Sequence, residues 1–164
     1  MVKLSYTPIK YSCRDFILLI HKRVRKTLRE ELLFNPKKPL VVFKDGSKEC
    51  IIGKKIMEEL FPHLTIREIK RKQKNCIVFA NMEREINSKF EAFIKDSPQP
   101  RSNYIRPLAN VLEEEILVYA KCRKIRVLKS KEPINTIISE MQKKYSETKF
   151  SLGKSLAVLE RKNI

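Results

Sequence analysis

At 164 residues, with 42% hydrophobic and 34% charged residues, the chain is long enough to bury one core and too apolar to be disordered. Lysine and arginine outnumber aspartate and glutamate by 36 to 19, a net charge of +17, which points to nucleic acid first and to an anionic membrane or an acidic protein next. No apolar run approaches the ~20 residues of a membrane span, and Cys13, Cys50, Cys76 and Cys122 include no C-x-x-C pair, so neither an anchor nor a zinc or dithiol centre is spelled out.

Residues 1–11 read as a loose leader without the apolar segment of a secretory signal. Ser12 then opens a helix, with Asp15 at the capping-box position. Phe16, Ile20, Val24, Leu28 and Leu32 recur every four residues and form its apolar stripe. Lys22, Arg23, Arg25, Lys26 and Arg29 lie on the other faces. They read either as a phosphate-tracking surface or as the solvated side of a docked helix, with Glu30 and Glu31 diluting the field. A linker, Asn35-Pro36-Lys37-Lys38-Pro39, follows.

Leu40 to Phe43 is a short apolar run after a proline and before the turn Asp45-Gly46-Ser47, which predicts a buried strand. Ile51, Ile52, Ile56, Leu60 and Phe61 then recur at helical spacing, Ser47 is the N-cap, and Pro62 ends the helix. Strand, glycine turn and helix is the arrangement that seats a phosphate on backbone N–H groups at a helix N-terminus. Such loops use several small residues. Here Gly46 stands alone and the carboxylate of Asp45 would repel a phosphate, offset only in part by Lys44. Lys44, Asp45, Gly46 and Ser47 therefore read as a degenerate nucleotide loop, or as an ordinary strand-turn-helix unit.

Leu64 to Ile69 alternates apolar and polar residues, which predicts a second strand with one wet face. Lys70, Arg71, Lys72 and Lys74 follow as a basic run, a candidate for phosphate contact or a solvated loop. Cys76 to Ala80 predicts a third strand; Asn81 caps the next helix, whose stripe is Ile86, Phe90, Phe93 and Ile94. After a polar loop over 97–103, Arg106 is held extended by Pro107. Glu113, Glu114 and Glu115 load the first turn of another helix and Lys121, Arg123 and Lys124 its last, complementing the dipole. Neighbouring helical positions point about 100° apart, so the three glutamates do not converge on a metal or acid–base site. Residues 125–131 are a basic connector, Pro133 starts a helix with Ile134, Ile137, Ile138, Met141 and Tyr145, and a last helical segment carries Phe150, Leu152, Leu156, Val158 and Leu159. His21 and His63 are isolated and read as packing or surface residues.

Strands alternating with helices predict an α/β fold, a Rossmann-like layered parallel sheet with flanking helices and any site at the strand C-terminal ends. The chain reads as a single domain over 1–164: an N-terminal basic helix and linker (1–38), a sheet core (39–131) and C-terminal helices (132–164). The four cysteines read as free thiols of a reducing, cytoplasmic compartment, most of them in the core.

Ser12 to Phe16 with its basic helix, Leu40 to Leu60, Cys76 to Ile94, Ile105-Arg106-Pro107-Leu108 before Glu115, Ile116 and Tyr119, and the stretch from Ile134 to Gly153 follow one another in an order that resembles the PP-loop ATP pyrophosphatase fold of tRNA-thiolating enzymes. Within it the chain is most similar to the cytoplasmic tRNA 2-thiolation protein 2 family, the non-catalytic subunits. It is short for that family and keeps only Gly46 of the serine-glycine-glycine opening of active loops; the cysteine pairs of the family's zinc site are absent. The resemblance implies an accessory subunit in 2-thiolation of the wobble uridine of cytosolic tRNAs, with no cofactor of its own. It implies three partners: tRNA, a catalytic PP-loop thiolation subunit in a heterodimer, and a ubiquitin-related modifier as sulfur carrier. Arg106, Pro107 and Leu108 would be the family's structural motif. Two alternatives stay open: a divergent ATP pyrophosphatase or tRNA sulfurtransferase active by itself, with ATP at Gly46 and Ser47 and Lys44 or Lys48 on phosphate, and a generic basic RNA-binding α/β protein.

Overall fold

In a computed structural model of the chain, residues 1–31, 34–95, 103–127 and 148–162 are described. The first eleven residues are not a loose leader: β1 (Val2–Leu4) and β2 (Thr7–Tyr11) form an antiparallel hairpin. Leu4 is buried in the main core and Val2, Tyr6 and Tyr11 pack against it, so the segment is tied down by its alternate apolar side chains.

Helix α1 (Cys13–Glu30) starts where expected, with the Ser12 hydroxyl accepting the Asp15 N–H at 3.1 Å. Phe16, Ile20, Val24 and Leu28 are its buried stripe. Then come β3 (Leu40–Phe43), α2 (Lys48–Leu60) and β4 (Ile66–Ile69). Strands β3 and β4 pair in parallel from Leu40–Ile66 to Phe43–Ile69. The expected third strand narrows to a parallel bridge of Ile77 to Val42, and Ile77 bridges Ile105 in turn. The sheet therefore runs β4, β3, Ile77, Ile105. The chain leaves β3 for β4 on one side, then crosses to Ile77 on the other, through residues 70–75 and without a helix. The topological switch point lies between β3 and Ile77, where α/β sheets place their ligands.

Helices α3 (Met82–Ile94), α4 (Glu113–Cys122) and α5 (Thr148–Lys162) complete the described chain. A small parallel sheet flanked by helices is the α/β architecture that the strand-helix alternation predicts. Helix α1 packs antiparallel to α4, as the pairs Arg23–Glu115, His21–Tyr119 and Cys13–Cys122 show. That packing brings the first residue of α1 to the last of α4. Cys13 and Cys122 form a disulfide with Cα atoms 5.4 Å apart, which corrects the expectation of four free thiols; Cys50 and Cys76 are free and buried. A smaller cluster of Met82, Ile86 and Leu112, with Tyr6, Phe150 and Leu152 against it, seats α5 on α3. Leu32, residues 97–102, the helix expected from Pro133 and the end of the basic connector lie outside the described residues.

Candidate functional site

The loop after β3 has the expected geometry and an unexpected set of occupants. Ser47 caps α2, its hydroxyl accepting the Cys50 N–H at 3.1 Å, and Gly46 takes the left-handed backbone (φ 74°) that a side chain would disfavour. Asp45 folds back on the loop, its carboxylate accepting the Ser47 N–H at 2.9 Å. A donor that a phosphate would use is thus taken by a carboxylate of the same loop. Lys44 points away to Glu68 on β4 at 2.7 Å, and Lys54 reaches the other oxygen of Glu68 at 2.7 Å. The two ammonium groups pull the Glu68 carboxyl down to about 2.

Behind the loop, buried and half-buried ionic side chains join the start of α2 to the starts of α3 and α4. Asn81 is buried and makes two contacts: the amide oxygen accepts the Arg84 N–H at 2.9 Å and caps α3, and the amide nitrogen donates to Glu49 at 3.0 Å. Lys48 is bonded to Glu113 and lies 3.9 Å from Glu49. Glu83 accepts from Lys149 of α5 at 2.9 Å and from the Glu113 N–H at 3.0 Å. Burial pushes its carboxyl up, and Lys149 pulls it back. One oxygen of Glu49 has no hydrogen bond and faces Arg84 at 3.8 Å. Buried Lys48 and Lys149 and half-buried Arg84 face buried Glu49 and Glu83 and half-buried Glu113, and this pairing is how the charge is tolerated. Sequence reading missed Lys48, Glu49 and Lys149 as partners. The available signal was the position of Lys48 and Glu49, directly after the cap of a helix that follows a buried strand.

The glutamates of α4 fan out, as their spacing requires: Glu113 to Lys48, Glu114 to Ser5, Glu115 to Arg23 and Tyr6. Of the α1 cations, Lys22, Arg25, Lys26 and Arg29 are exposed, with Lys26 at 4.0 Å from Glu30. Arg23 differs: its guanidinium turns inward to Glu115 and over the Phe150 ring. Lys70, Arg71, Lys72 and Lys74 are all exposed on the connection from β4 to Ile77. They and the α1 cations stand on separate elements. Arg106 pairs with Glu85, and Pro107 and Leu108 are buried beside it.

No protein-family model matches this chain, and no curated protein matches it. A solved structure does: the U34-tRNA thiolase NcsA from Methanococcus maripaludis, with its [4Fe-4S] cluster, superposes with a TM-score of 0.77 over 97% of this chain and 83% of that one, at 12% identity. The chain has the fold of that thiolase. It does not have cysteines that fit such a cluster. Cys13 and Cys122 are bonded to each other, and Cys50 and Cys76 are buried. Burial pushes the Cys50 thiol up, away from the thiolate that iron needs. Among the described residues no group of three or more His, Cys, Asp or Glu is arranged to hold a metal. Nor is any described helix long and apolar enough to cross a membrane.

Proposed function

We propose that this chain is a tRNA-binding, non-catalytic subunit of a U34-tRNA thiolation system, acting as one domain in the cytoplasm beside a catalytic PP-loop partner. One observation carries the reading: in a thiolase fold, the loop at the switch point is closed by its own Asp45, with the Lys48–Glu113 and Glu49–Asn81 contacts behind it. A nucleotide phosphate would have to displace a carboxylate and break a balanced buried network. What the fold retains is a charged exterior. Lys22, Arg25, Lys26 and Arg29 on α1, and Lys70, Arg71, Lys72 and Lys74 after β4, would follow tRNA phosphates, which set affinity and orientation but carry no sequence information. Arg23 and Arg106 would hold the framework instead. The partner would supply adenylation and sulfur insertion, with a ubiquitin-related modifier as the sulfur carrier.

The test is recovery of the protein from its own cells followed by reconstitution. The expected companion is one stoichiometric PP-loop protein, and thiolation of tRNA should need both chains. Saturable, magnesium-dependent ATP binding with sulfur transfer by the purified chain alone would overturn the proposal. Recovery on ribosomal particles would point instead to a generic RNA-binding protein.

A further inference from the structure

Phosphate tracking leaves one feature of the basic connection unused. Lys72 does not simply extend into solvent: its ammonium lies 5.3 Å from the centroid of the Phe43 ring and 5.8 Å from that of Tyr104. The sheet explains why the two rings share a neighbour. Val42, Ile77 and Ile105 are bridged side by side and buried. Side chains alternate along a strand, so Phe43 and Tyr104, each one residue away, belong to the opposite face. The connection over 70–75 crosses there, anchored by the Asn75 N–H on the Asn103 carbonyl at 2.7 Å. Both rings are half-buried, and four cations stand at 70, 71, 72 and 74.

We propose that Phe43 and Tyr104 form a stacking site for an unpaired RNA base, with Lys72 as its exchangeable cover. The site rests on the RNA-binding reading above and adds a class of contact to it. An ammonium over a partly exposed ring is weakly held, whereas a base stacked on the same ring excludes water from both faces. A nucleotide drawn in by Lys70, Arg71 and Lys74 replaces the ammonium over the ring, and Lys72 turns to that nucleotide's phosphate. The ring under the base exchanges one π-face contact for another, and the phosphate gains a cation. A paired base cannot do this, because its faces are already covered within the duplex.

The experiment compares a hairpin RNA with an unpaired loop against a fully paired duplex of equal length, by fluorescence anisotropy across a salt series. The unpaired loop also carries one 2-aminopurine. Wild-type protein should bind the hairpin more tightly and quench the 2-aminopurine. Tyr104→Leu should weaken the hairpin about tenfold, leave the duplex affinity and both salt slopes unchanged, and reduce the quenching; Tyr104→Phe should behave as wild type. Lys72→Gln should lower the salt slope by about one contact. An unquenched probe on wild-type protein, or equal losses on hairpin and duplex, would overturn the stacking site while leaving phosphate tracking intact. Failure of wild-type protein to bind either RNA would overturn both. Saturable binding of ATP alone that Tyr104→Leu abolishes would assign the rings to a free nucleotide and overturn the RNA assignment.

Discussion

Arg23 of α1 and Glu115 of α4 meet at 2.5 Å across the helix interface, with the Glu115 side chain completely buried. Glu115 also accepts from Tyr6 and from the Leu112 N–H at 2.9 Å, so one carboxylate ties the hairpin, α1 and the start of α4 together. Removing its cation leaves a buried charge short of a partner. Arg23→Met should therefore cost about 3 kcal/mol in urea unfolding. Arg25→Gln, two residues away and exposed, should stay within about 0.5 kcal/mol while flattening the salt dependence of tRNA binding. Similar stability losses for the two variants would refute the division of α1 into an inner and an outer set of cations.

His21 gives stability a pH dependence. Its Nε2 lies 3.0 Å from the Tyr119 hydroxyl and 3.4 Å from Glu59, and Tyr119 donates to Glu59 at 3.1 Å. Burial lowers the His21 pKa; Glu59 opposes the shift, and Arg123 and Arg25 add to it. The folded protein thus takes up the proton less readily than the unfolded chain. The contribution is complete above the ordinary histidine value of about 6.5 and declines as pH falls below it. His21→Gln should remove that slope from a plot of urea midpoint against pH between 5 and 7. An unchanged slope would place the titrating group elsewhere.

Glu68 acts at lower pH and with the opposite charge. Lys44 and Lys54 hold its carboxyl down to about 2, so the pairing contributes above the ordinary value of 4.5 and is lost as pH falls towards about 2. In Lys44→Met the carboxyl should titrate at a higher pH, followed by NMR of the Glu68 side chain. If it does not move, Lys44 is directed elsewhere in solution, and the account of the loop loses its cation.

The elements that were legible in the sequence are those where periodicity and a cap agree. Ser12 before α1, Ser47 before α2 and Asn81 before α3 each accept the N–H that their position predicts. The parallel sheet follows from the alternation of elements. The hairpin at 2–11 was not legible, because strands of 3 and 5 residues offer little alternation to count and only the packing of Val2, Leu4, Tyr6 and Tyr11 reveals the purpose. The disulfide was not legible either, since cysteines 109 positions apart meet only once α1 packs antiparallel on α4. At the candidate site, the lone glycine and Asp45 announced a degenerate loop. The partners behind it did not show, because Lys48, Glu113 and Lys149 are far apart in the chain, and charged residues ordinarily face water.

That disulfide closes a loop with a sequence separation of 109. In the chain-entropy account, a cross-link of this span restricts the unfolded chain by roughly 4–5 kcal/mol. Reduction, or Cys13→Ser, should lower the urea midpoint accordingly and leave far-ultraviolet circular dichroism unchanged, because Phe16, Ile20 and Tyr119 keep the helices in the core. The reduced state is the one a reducing compartment would hold. Loss of helical signal on reduction would mean that the cross-link, and not the core, organises the α1–α4 packing.

Gly53 seats the loop helix against Phe79, two residues beyond the Ile77 bridge. A Cβ at this position would fall within the ring of Phe79, which is 2% exposed. Intrinsic propensity alone favours alanine over glycine in a helix by about 1 kcal/mol, but forcing a methyl into a filled core costs about 1–3 kcal/mol. Overlap with a buried aromatic ring makes the second effect the larger one, so Gly53→Ala should be destabilising. Trimming the obstacle decides the cause: Gly53→Ala with Phe79→Leu should be more stable than the sum of the single variants implies, because the two sites share one volume. Additive losses would show that the close approach is not what requires glycine. Helix α2 begins with Lys48 and Glu49, so the displacement that accommodates the methyl should also loosen the ionic network behind the loop, read as faster hydrogen exchange at Cys50 and Ile51.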